Sequence, residues 1–252
     1  MSVLAVIPAR YGSSRFPGKP LAALHGKPMI QHVYEQVAKA KRVEEVIVAT
    51  DDDRIIDAIE RAGGTALLTS AAARSGTERV AEVARARNAH VVINVQGDEP
   101  LVHPEMVDQV AEFLARHAAV PMASLMTPLR PDDVANPNVV KVVVDRDGYA
   151  LYFSRAPIPH VRTQGGSPPP MWKHLGLYGY QRHFLLQFPS LEPTPLEQSE
   201  QLEQLRALEH GYQIKLLETV HDTIGVDTPD DLAKVEALLA TSSGKMKVDS
   251  SK

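Results

Sequence analysis

Residues able to do chemistry gather first near the amino terminus. Arg10, Arg15 and Lys19 fall within ten positions, spaced by Gly12, Ser13, Ser14 and Gly18. Cations this close repel one another unless an anion sits among them, and glycines let the backbone turn tightly and approach a ligand. A solvated basic loop is the competing reading. Against it stands the loop's position, directly after a short apolar run at residues 3–7 that reads as a strand buried on both faces. Open α/β sheets bind ligands off the carboxyl ends of such strands.

Two carboxylates stand out next. Asp98 lies in Gln96-Gly97-Asp98-Glu99-Pro100, right after the apolar run at residues 91–95. That position aims it into a crevice, where Mg²⁺ is held by one or two carboxylates plus substrate phosphates; a plain turn aspartate is the alternative. Asp227 precedes the helix start Thr228-Pro229-Asp230-Asp231, which has its cap, its proline and its first-turn acids without it. It is therefore available as a second metal ligand. Ser75-Gly76-Thr77-Glu78 has the pattern of a capping box, and Arg74 and Arg79 flank a helix end that already favours anions. A plain cap and a nucleotide contact both remain open there.

Familiar phosphate loops do not fit. Five residues separate Gly12 from Gly18, and Lys19 is followed by Pro20, which has no hydroxyl for Mg²⁺, so the Walker A spacing fails. A G-x-G-x-x-G turn is missing as well. Kinases, GTPases and nicotinamide dehydrogenases are disfavoured.

Composition narrows the class further. The 252 residues suffice for a large α/β domain, alone or with a sub-domain. Lys+Arg 27 against Asp+Glu 31 gives a formal charge of −4, with no nucleic-acid footprint. Zero cysteines exclude disulfides, a thiol nucleophile and Cys-ligated zinc. Apolar runs are too short to span a bilayer, and the first is followed at once by Arg10 and no signal-peptide pattern. A soluble cytoplasmic protein without membrane contact is expected.

The elements that must position these groups alternate at first. Apolar spacing gives a helix from Pro28 (Met29, Ile30, Val33, Val37), a strand at 45–50, a helix carrying Ile55 and Ile59, a strand at 65–68, a helix from Ser75 to Arg87, and the strand at 91–95. This order predicts a parallel sheet with helices on both faces. From about residue 122 three strands follow with little helix between them, an antiparallel sub-domain, its last two joined through Asp145-Arg146-Asp147-Gly148. Residues 164–171 read as a Pro/Gly-rich loop. In 173–181, His174, Gly176, Tyr178 and Tyr180 share one strand face, either a hydrogen-bonding groove or a face open to water. One helix is expected from Thr194 to His210, with Glu203 and Gln204 away from its leucine stripe, and a disordered tail after Leu239. The resulting segments are 1–121, 122–213, 214–240 and the tail 241–252.

Taken in order, IPARYGSSRFPGKPL, SGTER, NVQGDEP, YALYFSRAPIP, KHLGLYGY, LEQLR and GVDTPDDL resemble the 3-deoxy-manno-octulosonate (Kdo) cytidylyltransferases from residue 3 to 238. The opening motif and the aspartate loop are shared with sialic acid cytidylyltransferases, while YFSRAPIP and HLGLYGY are more particular to the Kdo enzymes. The resemblance implies a Rossmann-like nucleotidyltransferase fold, a mixed, mostly parallel sheet, and a homodimer. It implies that CTP and Kdo give CMP-Kdo and pyrophosphate with one or two Mg²⁺ ions, for lipopolysaccharide. By matching position, Arg10, Gly12, Ser13, Arg15, Lys19, Ser75, Gly76 and Arg79 would bind the nucleotide, and Asp98 and Asp227 the metal. Arg10, Lys19 and the two aspartates would be the catalytic groups. Gln96, Arg155, His174, Tyr178, Glu203 and Gln204 would face the sugar. The alternatives are a related acid sugar as substrate (8-amino-Kdo or a sialic acid) and a non-catalytic nucleotide-binding homologue.

Overall fold

A computed structural model describes residues 1–12, 16–162 and 169–248, with side chains to residue 240. Its first strand, β1 (Val3–Ala9), divides the interior in two. Val3, Ala5, Ile7 and Ala9 pack into one core and Leu4 and Val6 into the other. Such a strand can sit only in the middle of a sheet covered on both sides.

Among the described residues that sheet has nine strands. β1 pairs in parallel with β4 (Glu45–Thr50) and β6 (Val91–Asn94), and β4 with β5 (Ala66–Leu68). β2 (Ala23–Leu24) and β3 (Lys27–Pro28) form a separate two-stranded ribbon. β7 (Met122–Pro128) and β11 (Ile214–Glu218) are parallel to each other. β10 (Trp172–Gln181) lies between β6 and β7 and runs antiparallel to both. β8 (Lys141–Val144) and β9 (Ala150–Ser154) make a hairpin whose first strand also pairs with β10. The strands after residue 122 thus extend the same continuous sheet: β7 runs in the direction of β6, and the antiparallel pairings come from β10 between them and from the β8–β9 hairpin.

Helices cover both faces. α1 (Met29–Val37), α2 (Asp53–Arg61) and α4 (Pro104–Arg116) bury Ile30, Val33, Ile55, Ile59, Val107 and Val110 on one side. α3 (Gly76–Arg85), α5 (Arg182–Gln187) and α7 (Gln204–Glu209) bury Val80, Val83, Phe184, Leu185 and Leu205 on the other. The carboxyl ends of β1, β4, β6 and β11 all open on the same edge.

Two expectations are corrected. The single helix from Thr194 to His210 is broken into α6 (Pro195–Glu200) and α7, because Gln201 adopts a left-handed conformation (φ 54°). The break lets Glu197 reach back to the Arg206 guanidinium (2.8 Å from Nε), a pair almost shielded from water. At the end of the chain the backbone of α8 (Pro229–Val248) stays helical well past Leu239, where a disordered tail was expected. Only Gly244 interrupts the helix-compatible residues of that stretch.

Candidate active site

From β1 the chain moves outward to β4 and β5, then returns across the sheet to β6 on β1's other side. A crevice forms where the direction of travel reverses. Here it is a cavity of about 360 Å³ with Arg10, Lys19, Gln96, Asp98 and Asp227 on its wall, and the start of α3 (Ser75, Gly76, Arg79) facing them.

Lys19 is the centre of the cleft. Gly18, at φ 69°, takes a conformation that side chains disfavour and turns the chain into the short 3-10 turn Lys19–Leu21. The Lys19 ammonium then sits 2.7 Å from Asp98 Oδ2 and 3.4 Å from Asp227 Oδ1. Two aspartates distant in sequence therefore meet at one cation. Main chain holds them there: the Val226 N–H donates to the Asp98 carbonyl at 2.9 Å. A Cβ on Gly97 would lie 2.7 Å from the Pro8 carbonyl oxygen, so only glycine lets the Asp98 loop close against β1.

Other expected residues are placed with less freedom. Arg10 is exposed at the cleft mouth and pairs with no carboxylate among the described residues. Arg79 lines the cleft, yet its guanidinium donates to Asp51 at 2.7 Å and to the Thr69 hydroxyl. Ser75 caps α3 by accepting the Glu78 N–H at 3.2 Å. Glu78 does not reach back to Ser75; it takes the Arg74 N–H and side chain, both at 2.8 Å, so half of the expected capping box forms. Gln96 donates to the Gly176 carbonyl at 3.3 Å, joining the Asp98 loop to β10. Gly12 is exposed and stands off the cavity wall; Ser13 and Arg15 lie outside the described residues.

The residues expected to face the sugar separate into two sets. Glu203 borders a second hollow of about 430 Å³ that shares Arg74 and Ser75 with the first, and it accepts a hydrogen bond from Thr77. Tyr178 lies close enough to Glu203 and Glu99 for their charges to act with burial in raising its pKa. Gln204 is buried with its amide nitrogen unpartnered, and Asn94 Oδ1 at the end of β6 is likewise an orphan. Buried polar atoms without partners cost free energy and call for a ligand or water.

Arg155 and His174 make internal bonds. Arg155 donates to the carbonyls of Glu200 (2.7 Å), Pro137 (3.0 Å) and Gln201 (3.3 Å). His174 is buried against Ser124, whose hydroxyl lies 2.9 Å from Nε2 and within 3.0 Å of the carbonyls of Leu175 and Leu177. Burial lowers the His174 pKa to about 3, so its ring is neutral. Of the two readings of this strand face, neither an open groove nor a wet surface describes it. A bulge between Leu175 and Tyr178 turns it into a lined interior wall.

Some residues around the cleft are not singled out by the sequence. Glu99 is 9% exposed, and burial followed by the adjacent Asp98 charge pushes its pKa up to about 7. Asp51, which pairs with Arg79, is the first of three consecutive aspartates, of which Asp52 alone caps α2. That surplus was the available signal. Asp222 is held by Lys173 at 2.6 Å and Arg130 at 3.0 Å and anchors the segment leading to Asp227.

Comparison with known proteins covers nearly the whole chain. A family model described as cytidylyltransferase matches residues 4–216. The 3-deoxy-manno-octulosonate cytidylyltransferase of Geobacter sulfurreducens is 51% identical over 245 residues, 93% of this chain and 98% of that protein. Its counterpart in Myxococcus xanthus is 52% identical, covering 96% and 98%. A solved CMP:2-keto-3-deoxy-manno-octonic acid synthetase complexed with CTP superposes with a TM-score of 0.91 at 44% identity, over 96% of this chain and 100% of that one. A 4-diphosphocytidyl-2C-methyl-D-erythritol synthase from Anaerococcus prevotii shares the fold (TM-score 0.63, 14% identity, covering 95% and 96%).

Proposed function

This chain belongs to the 3-deoxy-manno-octulosonate cytidylyltransferases, and from that premise we propose that its cleft transfers CMP from CTP to the C2 hydroxyl of Kdo, releasing pyrophosphate. CMP-Kdo made this way serves lipopolysaccharide assembly. The observation that carries the reading is the Lys19 ammonium standing between Asp98 and Asp227 at the mouth of β1 and β6. It supports a site built for both an anion and a cation.

Nucleotidyl transfer needs little covalent help, so positioning and charge neutralisation dominate. Lys19, with Arg10 at the rim, faces the triphosphate and stabilises the pyrophosphate as its charge grows. The N-terminus of α3, presented by Ser75 and Gly76, adds oriented N–H groups on the opposite wall. Glu203, Tyr178 and the orphan amide of Gln204 supply donors and acceptors for sugar hydroxyls.

Mg²⁺ suits the donor set: two hard carboxylates from distant segments meet on the wall of one cleft. Asp98 and Asp227 would hold it. Bound there, Mg²⁺ would neutralise phosphate charge and make the sugar hydroxyl more acidic. We assign the protein to the cytoplasm as a homodimer, which light scattering would test.

Pyrophosphate release measured with CTP, Mg²⁺ and a panel of acid sugars tests the function. Turnover should be fastest with Kdo. Preference for 8-amino-Kdo or a sialic acid would move the assignment to the related enzyme, and CTP binding without turnover on any sugar would leave a nucleotide-binding homologue.

A further inference from the structure

Outside the cleft, two histidines and a glutamate converge from segments that the proposed reaction does not use. His103 is the N-cap of α4, Glu105 lies in its first turn, and His221 follows β11. The imidazoles of His103 and His221 stack with centroids 3.9 Å apart and planes 14° from parallel. Glu105 Oε2 is 2.9 Å from His221 Nε2 and 3.9 Å from His103 Nδ1. One ligand atom from each residue falls within a set no wider than 4.8 Å.

We propose that His103, Glu105 and His221 form a surface site for a divalent transition metal such as Zn²⁺, separate from the Asp98–Asp227 pair. Two imidazoles and a carboxylate are a donor set that Zn²⁺ takes, with open positions left to water. Imidazole nitrogen favours Zn²⁺, Ni²⁺ and Cu²⁺, whereas Mg²⁺ prefers oxygen, so the two sites divide the cations between them. Bringing the three ligand atoms onto one ion requires the stacked rings to turn and, if Nδ1 is the ligand, His103 to release the Glu105 N–H that it accepts at 3.3 Å. The side chains of Glu105 and His103 are 73% and 46% exposed, so little packing resists it. Lys39 and Lys41 lie near His103 and Glu105 respectively and temper the attraction of this patch for cations.

Position gives the site its interest. His103 lies on the loop that carries Asp98, and His221 on the segment that carries Asp227. A metal here would staple together the two segments that present the cleft's carboxylates, adding to the Val226–Asp98 main-chain bond. The inference does not depend on which sugar or nucleotide the cleft accepts.

Calorimetric titration of Zn²⁺ into the full chain, with excess Mg²⁺ occupying oxygen-only sites, tests it. Wild type should bind one Zn²⁺ per chain, with a rise in Tm. H221Q should bind at least about tenfold more weakly, and H103Q/H221Q should lose both the binding and the Tm rise, with a small fall in the metal-free Tm from the lost His103 cap of α4. E105Q should weaken the site without removing it. Equal Zn²⁺ affinity in wild type and H103Q/H221Q, or no saturable binding to wild type, would overturn the proposal. If H103Q/H221Q proved unstable, the H221Q and E105Q affinities alone would decide.

Discussion

The parallel half of the sheet, β5-β4-β1-β6, and the antiparallel part around β10 treat their polar residues in opposite ways. On the parallel side, Lys19, Asp98 and Asp227 hang on loops beyond strand ends and face one another across a cavity. Around β10 several polar groups lie within the sheet or against it and are consumed by internal bonds, the unpartnered Gln204 amide excepted. Lys141, fully buried, donates to the carbonyls of Asn136, Val139 and Arg155. Glu200 accepts from Ser154 at 2.6 Å and from the Arg155 N–H at 2.9 Å. On the proposed function the first region holds its charges for a ligand; these groups of the second spend theirs on internal bonds. Charge reversal or neutralisation should therefore damage turnover on one side and stability on the other.

The largest test is at the aspartates. Asp98→Asn or Asp227→Asn should lower kcat at least about a hundredfold while leaving Tm close to wild type, and near-normal turnover in either would break the contrast. Lys141→Met should act the other way, costing at least about 2 kcal/mol of unfolding free energy because buried carbonyls lose their donor. Denaturant unfolding reads this directly.

His174 sharpens the contrast through pH. Its folded pKa, about 3, lies below the ordinary 6.5. Between those values the unfolded chain takes up a proton that the folded chain refuses. Stability attributable to this group is therefore present above pH 6.5 and is lost as pH falls, at up to about 1.4 kcal/mol per pH unit. His174→Asn should flatten the acid side of a Tm-against-pH curve. An unchanged slope would show that the ring is not held neutral. The smallest effect is expected at Ser75→Ala, about 1 kcal/mol from the lost cap of α3, measurable by denaturant unfolding alongside the CTP affinity.

How much could be read from the chain follows the same division. Strand ends announce themselves: an apolar run followed by glycine and a charge placed Lys19, Asp98 and their loops, and the β-α alternation pointed to a parallel sheet around β1 with helices on both faces. Residues deep in a strand give no such sign. Nothing in KHLGLYGY distinguishes a histidine that meets substrate from one that packs under Phe153 (ring centroids 4.8 Å apart) and bonds Ser124. The partners of Arg155 are backbone carbonyls, which no motif marks. The break at Gln201 was invisible for a related reason. The leucine spacing continues through it, and only the Glu197–Arg206 pair and the packing of Leu202 explain why the helix stops.

Lys19 and Asp227 are 208 positions apart, yet they share one ammonium contact. A nascent polypeptide that has delivered β1 through β10 carries Lys19 and only one of the two acids. No amino-terminal fragment ending before Asp227 can complete the pair, so on the proposed role of the two acids full turnover is expected only from chains finished almost to their last helix.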